Sequence, residues 1–185
     1  KAFNGRTTFN EDIGRGDVSN VRNMTMMFNE AEAFNQDIGN WDVSSVLHMY
    51  RIFRKAISFN QDIGEWDVSS VVTLAAAFEG ASSFNQNIGN WNISSATNIA
   101  ATFNAAVTFN HDISNWDTSN VTTLQNTFWN AVSFNQDLSD WNISSVLNMS
   151  NLFENTFSLS TLNKGKIHES FNSNPNWLYD WREYV

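Results

Sequence analysis

Amide and carboxylate side chains that could bind a ligand recur every 25 residues in this chain. They form two series, set two residues apart within each repeat. The first contains Arg15, Asn40, Glu65, Asn90, Asn115 and Asp140, and the second contains Asp17, Asp42, Asp67, Asn92, Asp117 and Asn142. Stacked repeats place equivalent side chains side by side, and such a surface suits sugar hydroxyls, a basic protein or calcium. We therefore predict ligand-binding residues at Asn40, Asp42, Glu65, Asp67, Asn90, Asn92, Asn115 and Asp117.

An alternative is that these polar groups only bond one another or nearby backbone along the stack. Like charges directly adjacent at strand spacing are unfavourable. Asn92 and Asn142 interrupt the carboxylates of the second series, as a self-compensating ladder would. Both interpretations stay open from the sequence.

The tryptophans divide into two groups. Trp129 occupies a repeat position that is otherwise polar, filled by Asn29, Arg54, Glu79, Asn104 and Glu154. An aromatic side chain on a polar face is typical of an exposed contact residue, so Trp129 is a further predicted ligand-binding residue. The regularly spaced tryptophans alternate with polar residues, which predicts burial in the core: Trp41, Trp66, Trp91, Trp116 and Trp141.

Catalytic and metal-binding patterns are absent from the sequence. His48, His111 and His168 occupy different repeat positions, and no phosphate loop, GxSxG or HExxH motif occurs. A further acidic series is predicted to accept backbone amides in a turn: Asp12, Asp37, Asp62, Asn87, Asp112 and Asp137. No calcium-loop motif supplies the several converging oxygens that calcium needs, so calcium binding is a minor alternative. We predict a non-enzyme with no cofactor and no metal.

The charge distribution excludes a nucleic-acid partner. The 185 residues carry 10 Lys and Arg against 19 Asp and Glu, a formal charge of −9, whereas phosphate binding needs a basic patch. Residues 56–163 contain no Lys or Arg at all. No apolar run approaches the ~18 residues of a membrane span, so we predict no membrane insertion in this segment.

The repeat determines the domain organisation. The pair Phe-Asn begins at Phe9, Phe34, Phe59, Phe84, Phe109 and Phe134, always 25 residues apart, giving six full copies over 9–158. A second phenylalanine recurs at the same interval from Phe28 to Phe153, and Phe3 falls in this series. A partial copy therefore precedes the six, and we expect the chain to be part of a longer protein. We predict a repeat solenoid over 1–158 and a C-terminal cap over 159–185, in which Thr161 to Phe171 form a helix.

Each copy reads as two short elements. In Ile38, Trp41 and Val43 apolar residues alternate with polar ones, which predicts a short strand. Val46, Met49, Phe53 and Ala56 then recur at helical spacing, with Ser44 and its equivalents as the predicted N-cap. The asparagine of each Phe-Asn pair is predicted to bond turn backbone and the next coil.

These residues resemble a known repeat family. Ile38-x-x-Trp41-x-Val43 resembles the strand signature of leucine-rich repeats, and Val46-x-x-Met49-x-x-x-Phe53-x-x-Ala56 resembles the helical half of BspA-like repeats. The whole unit is similar to a bacterial surface-protein repeat, over residues 1–158. The resemblance implies an α/β fold, a right-handed leucine-rich-repeat-like solenoid with one short parallel strand and one short helix per coil.

The resemblance also implies a location and a function. Such repeats belong to secreted or cell-surface proteins associated with adhesion or host interaction. We therefore expect a non-catalytic extracellular recognition or adhesion module that binds a protein or glycan ligand at a cell surface with its polar strand face. The alternative is a purely structural spacer or stalk within a larger surface protein.

Overall fold

The computed structural model describes residues 1–185, and its repeats form coils that stack one on the next. Isolated parallel bridges join one residue in each coil to its equivalent 25 residues later, in the series Asn23, His48, Thr73, Asn98, Thr123 and Asn148. The only helices are α1, Thr161–Phe171, and a 3₁₀ helix, Arg182–Tyr184. The repeats are therefore built from turns and inter-coil hydrogen bonds.

Backbone amides alternate between two kinds of hydrogen bond after each bridge. Arg51 N donates to Ala75 O of the next coil over 3.0 Å, and Phe53 N donates to Ala77 O over 2.8 Å. The amide between such residues donates within its own coil, as Arg54 N does to Arg51 O over 3.3 Å. Because buried backbone groups need partners, this alternation satisfies the chain without a continuous helix or strand.

The helix predicted at Val46–Ala56 is wrong, because the structure has consecutive turns there. Arg51 and Lys55 both have φ 54°, in the left-handed region, and the same two repeat positions are left-handed in the other coils. A right-handed helix cannot pass through such residues. Turns that close every four residues bury the same apolar positions as a helix, so the periodicity alone could not distinguish the two.

The strand predicted at Ile38–Val43 is also replaced by turns. The predicted alternation of burial is confirmed, since Ile38, Trp41 and Val43 are buried while Asn40 and Asp42 are exposed. However, Trp41 N donates to Ile38 O over 3.1 Å, within the same coil. The inter-coil bridges lie instead at His48 and its equivalents. Two successive turns thus produce the in-out pattern that the sequence attributed to a strand.

A column of stacked aromatic rings forms the core. Phe28 stacks on Phe34, six residues later, with ring centroids 4.1 Å apart, and on Phe53, its equivalent in the next copy, at 5.5 Å. Equivalent contacts continue to Phe153. The prediction that the regularly spaced tryptophans are core residues is confirmed, since all five are at most 5% exposed.

Each buried tryptophan also bonds the previous coil. The indole Nε1 of Trp66 donates to Ile38 O over 3.1 Å, and that of Trp91 donates to Ile63 O over 3.0 Å. The acceptor always lies 28 residues earlier. A buried indole usually needs such a partner, and here the bond fixes the register between coils.

The predicted helix at Thr161–Phe171 is confirmed with the same bounds. Ser160 caps it by accepting from Asn163 N over 3.2 Å, and Ile167 and Phe171 are buried. The segment that follows covers the last coil: Trp177, Tyr179 and Trp181 all contact the ring of Phe153. The aromatic column therefore ends against other aromatic side chains rather than water.

Polar contacts join this C-terminal segment to the last coil. The Tyr179 hydroxyl accepts from Phe153 N over 2.8 Å, and burial raises the pKa of that hydroxyl. Lys166 Nζ lies 2.8 Å from Asp137 Oδ2. Burial alone would raise the pKa of Asp137, but hydrogen bonds from Lys166 and Ser139 outweigh it and lower that pKa overall. No helix in the chain has the length and apolar character needed to cross a membrane.

Candidate ligand-binding surface

The second polar column, comprising Asp17, Asp42, Asp67, Asn92, Asp117 and Asn142, stabilises turns. Each Oδ1 accepts from the backbone amide of the serine two residues later, over 3.0 to 3.1 Å. In Asp42 the hydroxyl of Ser44 also donates, over 2.6 Å. Bonds to the charged form favour it, so the Ser44 hydroxyl and amide lower the pKa of Asp42. The interpretation of Ser44 as a helix N-cap is therefore wrong, because its hydroxyl donates.

The first polar column is free of such contacts. Asn40, Glu65, Asn90, Asn115 and Asp140 are exposed. None of their side chains forms a hydrogen bond or ion pair within the chain, unlike those of the second polar column. The two columns lie two residues apart at successive turns of every coil. Of the eight residues predicted there, Asn40, Glu65, Asn90 and Asn115 keep all their polar atoms available to a ligand.

Two other polar series behave as predicted. Asn35 Oδ1 accepts from Asn60 N of the next coil over 2.9 Å, and the equivalent asparagines continue this ladder. Asp37 Oδ1 accepts from Gly39 N over 2.9 Å, as its equivalents do in the other coils. Both series are thus used internally. No group of three or more His, Asp or Glu side chains converges as a metal site.

Trp129 lies at a cleft of about 470 Å³ that the sequence did not reveal. We call it the alanine cleft, because four of its lining residues are alanines of two successive coils, and we refer to these four as its floor: Ala75, Ala76, Ala100 and Ala101. Its other lining residues are Tyr50, Arg51, Glu79, Asn98, Asn104, Gln125, Asn126 and Trp129. The volume is within the usual range of ligand pockets, about 300–1,000 Å³.

The floor alanines share their two repeat positions with larger residues that line the cleft in the coils on either side. Tyr50 and Arg51 in one coil correspond to Ala75 and Ala76 in the next, and to Gln125 and Asn126 two coils further on. The signal in the sequence was therefore a loss of side chains in two consecutive coils. Sequence motifs consist of residues that are present, and this surface is marked by side chains that are absent. Only Trp129 could therefore be predicted from the sequence.

Charge in the alanine cleft is unevenly paired. Arg54 lies 3.2 Å from Glu79 and 2.7 Å from Glu30, so the carboxylate of Glu79 already has a cation. Arg51 forms no ion pair, and its guanidinium carbon lies 4.8 Å from the centroid of the Tyr50 ring. Its Nε is a buried nitrogen without a hydrogen-bond partner. Arg51 is thus the unpaired cation of this surface.

Comparison with known families gives one matching family, and its matches extend through the repeats. Residues 1–83 and 61–166 match the family described as Mycoplasma protein of unknown function, DUF285. The chain belongs to this family. The two overlapping DUF285 matches indicate a repeat family, in agreement with the 25-residue period. No curated protein and no solved structure matches the chain.

Proposed function

We propose that this DUF285 chain is a non-catalytic recognition or adhesion module of an extracellular or cell-surface protein, and that it binds a protein or glycan with its first polar column. The observation that carries the proposal is the exposed, unbonded state of Asn40, Glu65, Asn90 and Asn115 in successive coils. Their neighbours in the second polar column are held by turn hydrogen bonds. A rigid backbone thus presents free amides and a carboxylate at regular intervals.

The surface location rests on the resemblance to BspA-like surface repeats. We propose with it that the stack is a right-handed solenoid of leucine-rich-repeat type. Parallel bridges at the 25-residue period support this relationship, whereas the connecting part of each coil is built from turns in place of the helix. A crystal structure of the chain would test the handedness directly.

A structural spacer is the second candidate. It is favoured by the continuous ring stacking from Phe3 to Phe153, which would make a stiff rod. A stack with ~4.8 Å between coils gives about 30 Å for six coils. A spacer needs no ligand, so binding distinguishes the two candidates.

The deciding experiment screens the purified chain on a glycan and matrix-protein array. A triple variant, Glu65→Ser with Asn90→Ser and Asn115→Ser, should lose the binding and keep the melting temperature, because these side chains have no internal partner. The matched control, Asn20→Ser with Asn172→Ser, changes exposed amides outside the columns and should bind normally. Absence of any array binding, or binding by the triple variant equal to that of the unchanged chain, would overturn the proposal.

A further inference from the structure

The alanine cleft is a second surface with the properties of a binding site. Apart from Asn98, its lining residues occupy the repeat positions of Tyr50, Arg51 and Arg54. The first polar column occupies the repeat position of Asn40. The cleft does not depend on the polar columns. A chain whose first polar column binds nothing would still have this surface.

The floor of the cleft offers methyl groups and no free backbone. Ala76 N donates to Ala100 O over 2.8 Å, and Ala101 N donates to Gln125 O over 2.8 Å. The remaining two alanine amides donate to the side chains of Thr73 and Asn98. The other floor carbonyls accept from amides of Arg51, Glu79 and Asn104. A peptide that pairs by adding a strand therefore has no backbone partner here.

Most polar groups around the floor are uncharged, and several of them form no hydrogen bond within the chain. The side chain of Asn104 forms no hydrogen bond within the chain, and Nε1 of Trp129 donates to none, in contrast to the core indoles. Asn98 accepts through Oδ1 from Ala100 N, which leaves its Nδ2 donor free. The cleft thus combines amide and indole donors with the unpaired guanidinium of Arg51.

This combination matches one ligand chemistry in particular. A sugar ring has an apolar C–H face, which can lie on methyl groups or an aromatic ring, and an edge of hydroxyls that pair with amides and guanidinium. Trp129 is half-buried at one wall and Tyr50 lies at the other. A purely apolar ligand would leave these polar groups without partners, which is costly. We propose that the alanine cleft binds an oligosaccharide, with Trp129 and the alanines against the sugar faces and Arg51 and Asn104 at the hydroxyls or a carboxylate.

The repeat supplies substitutions that should fill or open the cleft without disturbing the coils. Tyr50 occupies the repeat position of Ala100, so Ala100→Tyr introduces a side chain that another coil already carries there. Trp129→Asn and Arg51→Asn likewise introduce residues found at those positions elsewhere, as Asn104 and Asn126. The matched control is Glu154→Asn, which introduces the same residue, asparagine, at the equivalent repeat position outside the cleft.

The test uses an array of neutral and uronic-acid-containing oligosaccharides, followed by calorimetric titration of the strongest binder. Ala100→Tyr and Trp129→Asn should each weaken binding at least tenfold, and Arg51→Asn should weaken it also. Glu154→Asn should leave the affinity unchanged, and all four should keep the melting temperature within a few degrees.

The other outcomes count against the cleft. If no oligosaccharide binds, or if binding survives both Ala100→Tyr and Trp129→Asn, the assignment is overturned. If the triple variant of the first polar column loses oligosaccharide binding while the cleft variants retain it, the columns are the glycan site and the cleft is not. If the cleft variants affect only peptides on a peptide array, the ligand class is wrong.

Discussion

Truncation of Phe78 tests whether the aromatic column holds the coils together. Phe78 is fully buried, and its ring stacks on Phe84 at 4.1 Å, on Phe53 at 5.6 Å and on Phe103 at 5.9 Å between centroids. It thus contacts the copies on both sides of its own. Phe78→Ala removes all of these contacts and leaves a cavity that a regular stack cannot easily close.

The expected cost follows from the burial and the number of ring partners. A buried Phe→Ala change typically costs about 3–5 kcal/mol of unfolding free energy, and stacked aromatic pairs add about 0.5–1.5 kcal/mol beyond buried area. Because Phe78 stacks on three rings, we expect the upper part of the range, about 4–5 kcal/mol. That is a large fraction of the ~5–15 kcal/mol by which domains are stable.

The comparison variant is Phe3→Ala, at the N-terminal end of the column, whereas Phe78 lies in its middle. Phe3 is only partly buried and stacks on two rings, those of Phe9 and Phe28. Fewer partners and remaining exposure predict about half the cost of Phe78→Ala, or roughly 2 kcal/mol. The contrast between the two positions, rather than either value alone, tests the stacking argument.

Urea unfolding followed by tryptophan fluorescence is the appropriate measurement. With a slope of about 3 kcal/mol per molar urea for a chain of this size, Phe78→Ala should lower the midpoint by about 1.5 M and Phe3→Ala by about half of that. A weak interface in a linear stack can also uncouple the two sides, so the Phe78→Ala transition should broaden. Equal midpoint shifts for both variants, or a Phe78→Ala cost below ~1 kcal/mol, would refute the reasoning.

Further predictions concern individual hydrogen bonds. Trp91→Phe should cost about 1 kcal/mol for the lost hydrogen bond, because the Ile63 carbonyl loses the indole donor and keeps only its bond from Trp66 N; a change within error in urea unfolding would contradict this. Asn85→Ala should cost about 1 kcal/mol, since Asn110 N loses its acceptor, and the same assay checks it. Ser69 lowers the folded pKa of Asp67 below 3.8, so stability is lost as pH falls through that pKa. Asp67→Asn should therefore flatten the melting-temperature profile below about pH 4, leaving it unchanged at pH 7; an unaltered acid profile would refute this.

The buried positions could be derived from the sequence because the 25-residue period repeats them. The burial of Trp41 and its equivalents and the ladder of Asn35 and its equivalents follow from position in the unit. The helix of α1 followed from residues outside the period. In each case the prediction needed only which side chains are apolar or can bond a turn, and not the backbone path between them.

The backbone path could not be derived from the sequence, because a helix and a series of turns give the same spacing of apolar residues. Val46, Met49 and Phe53 have the spacing of a helix, but left-handed residues at Arg51 and Lys55 give turns of nearly the same period. The left-handed position holds Met26, Arg51 and Ala76 in successive coils, none of which signals a positive φ. Inter-coil hydrogen bonds at 2.7 to 3.2 Å select this backbone, and such long-range contacts are not visible in the local sequence.

The candidate surfaces show why deviations from the repeat carry more information than the repeat itself. Aspartate in the second polar column recurs because each turn needs an acceptor. Much of the −9 charge therefore comes from turn aspartates that recur from copy to copy. Ala75 and Ala100, by contrast, have no polar side chain where the other copies carry Thr25, Tyr50, Gln125 or Ser150, and Trp129 is aromatic where the other copies carry Asn, Arg or Glu. Stacking does not require either change, since the neighbouring coils pack with the other residues. These substitutions open a cleft, and stacking of the coils does not require them. They are therefore better candidates for ligand contacts than the residues that recur in every copy.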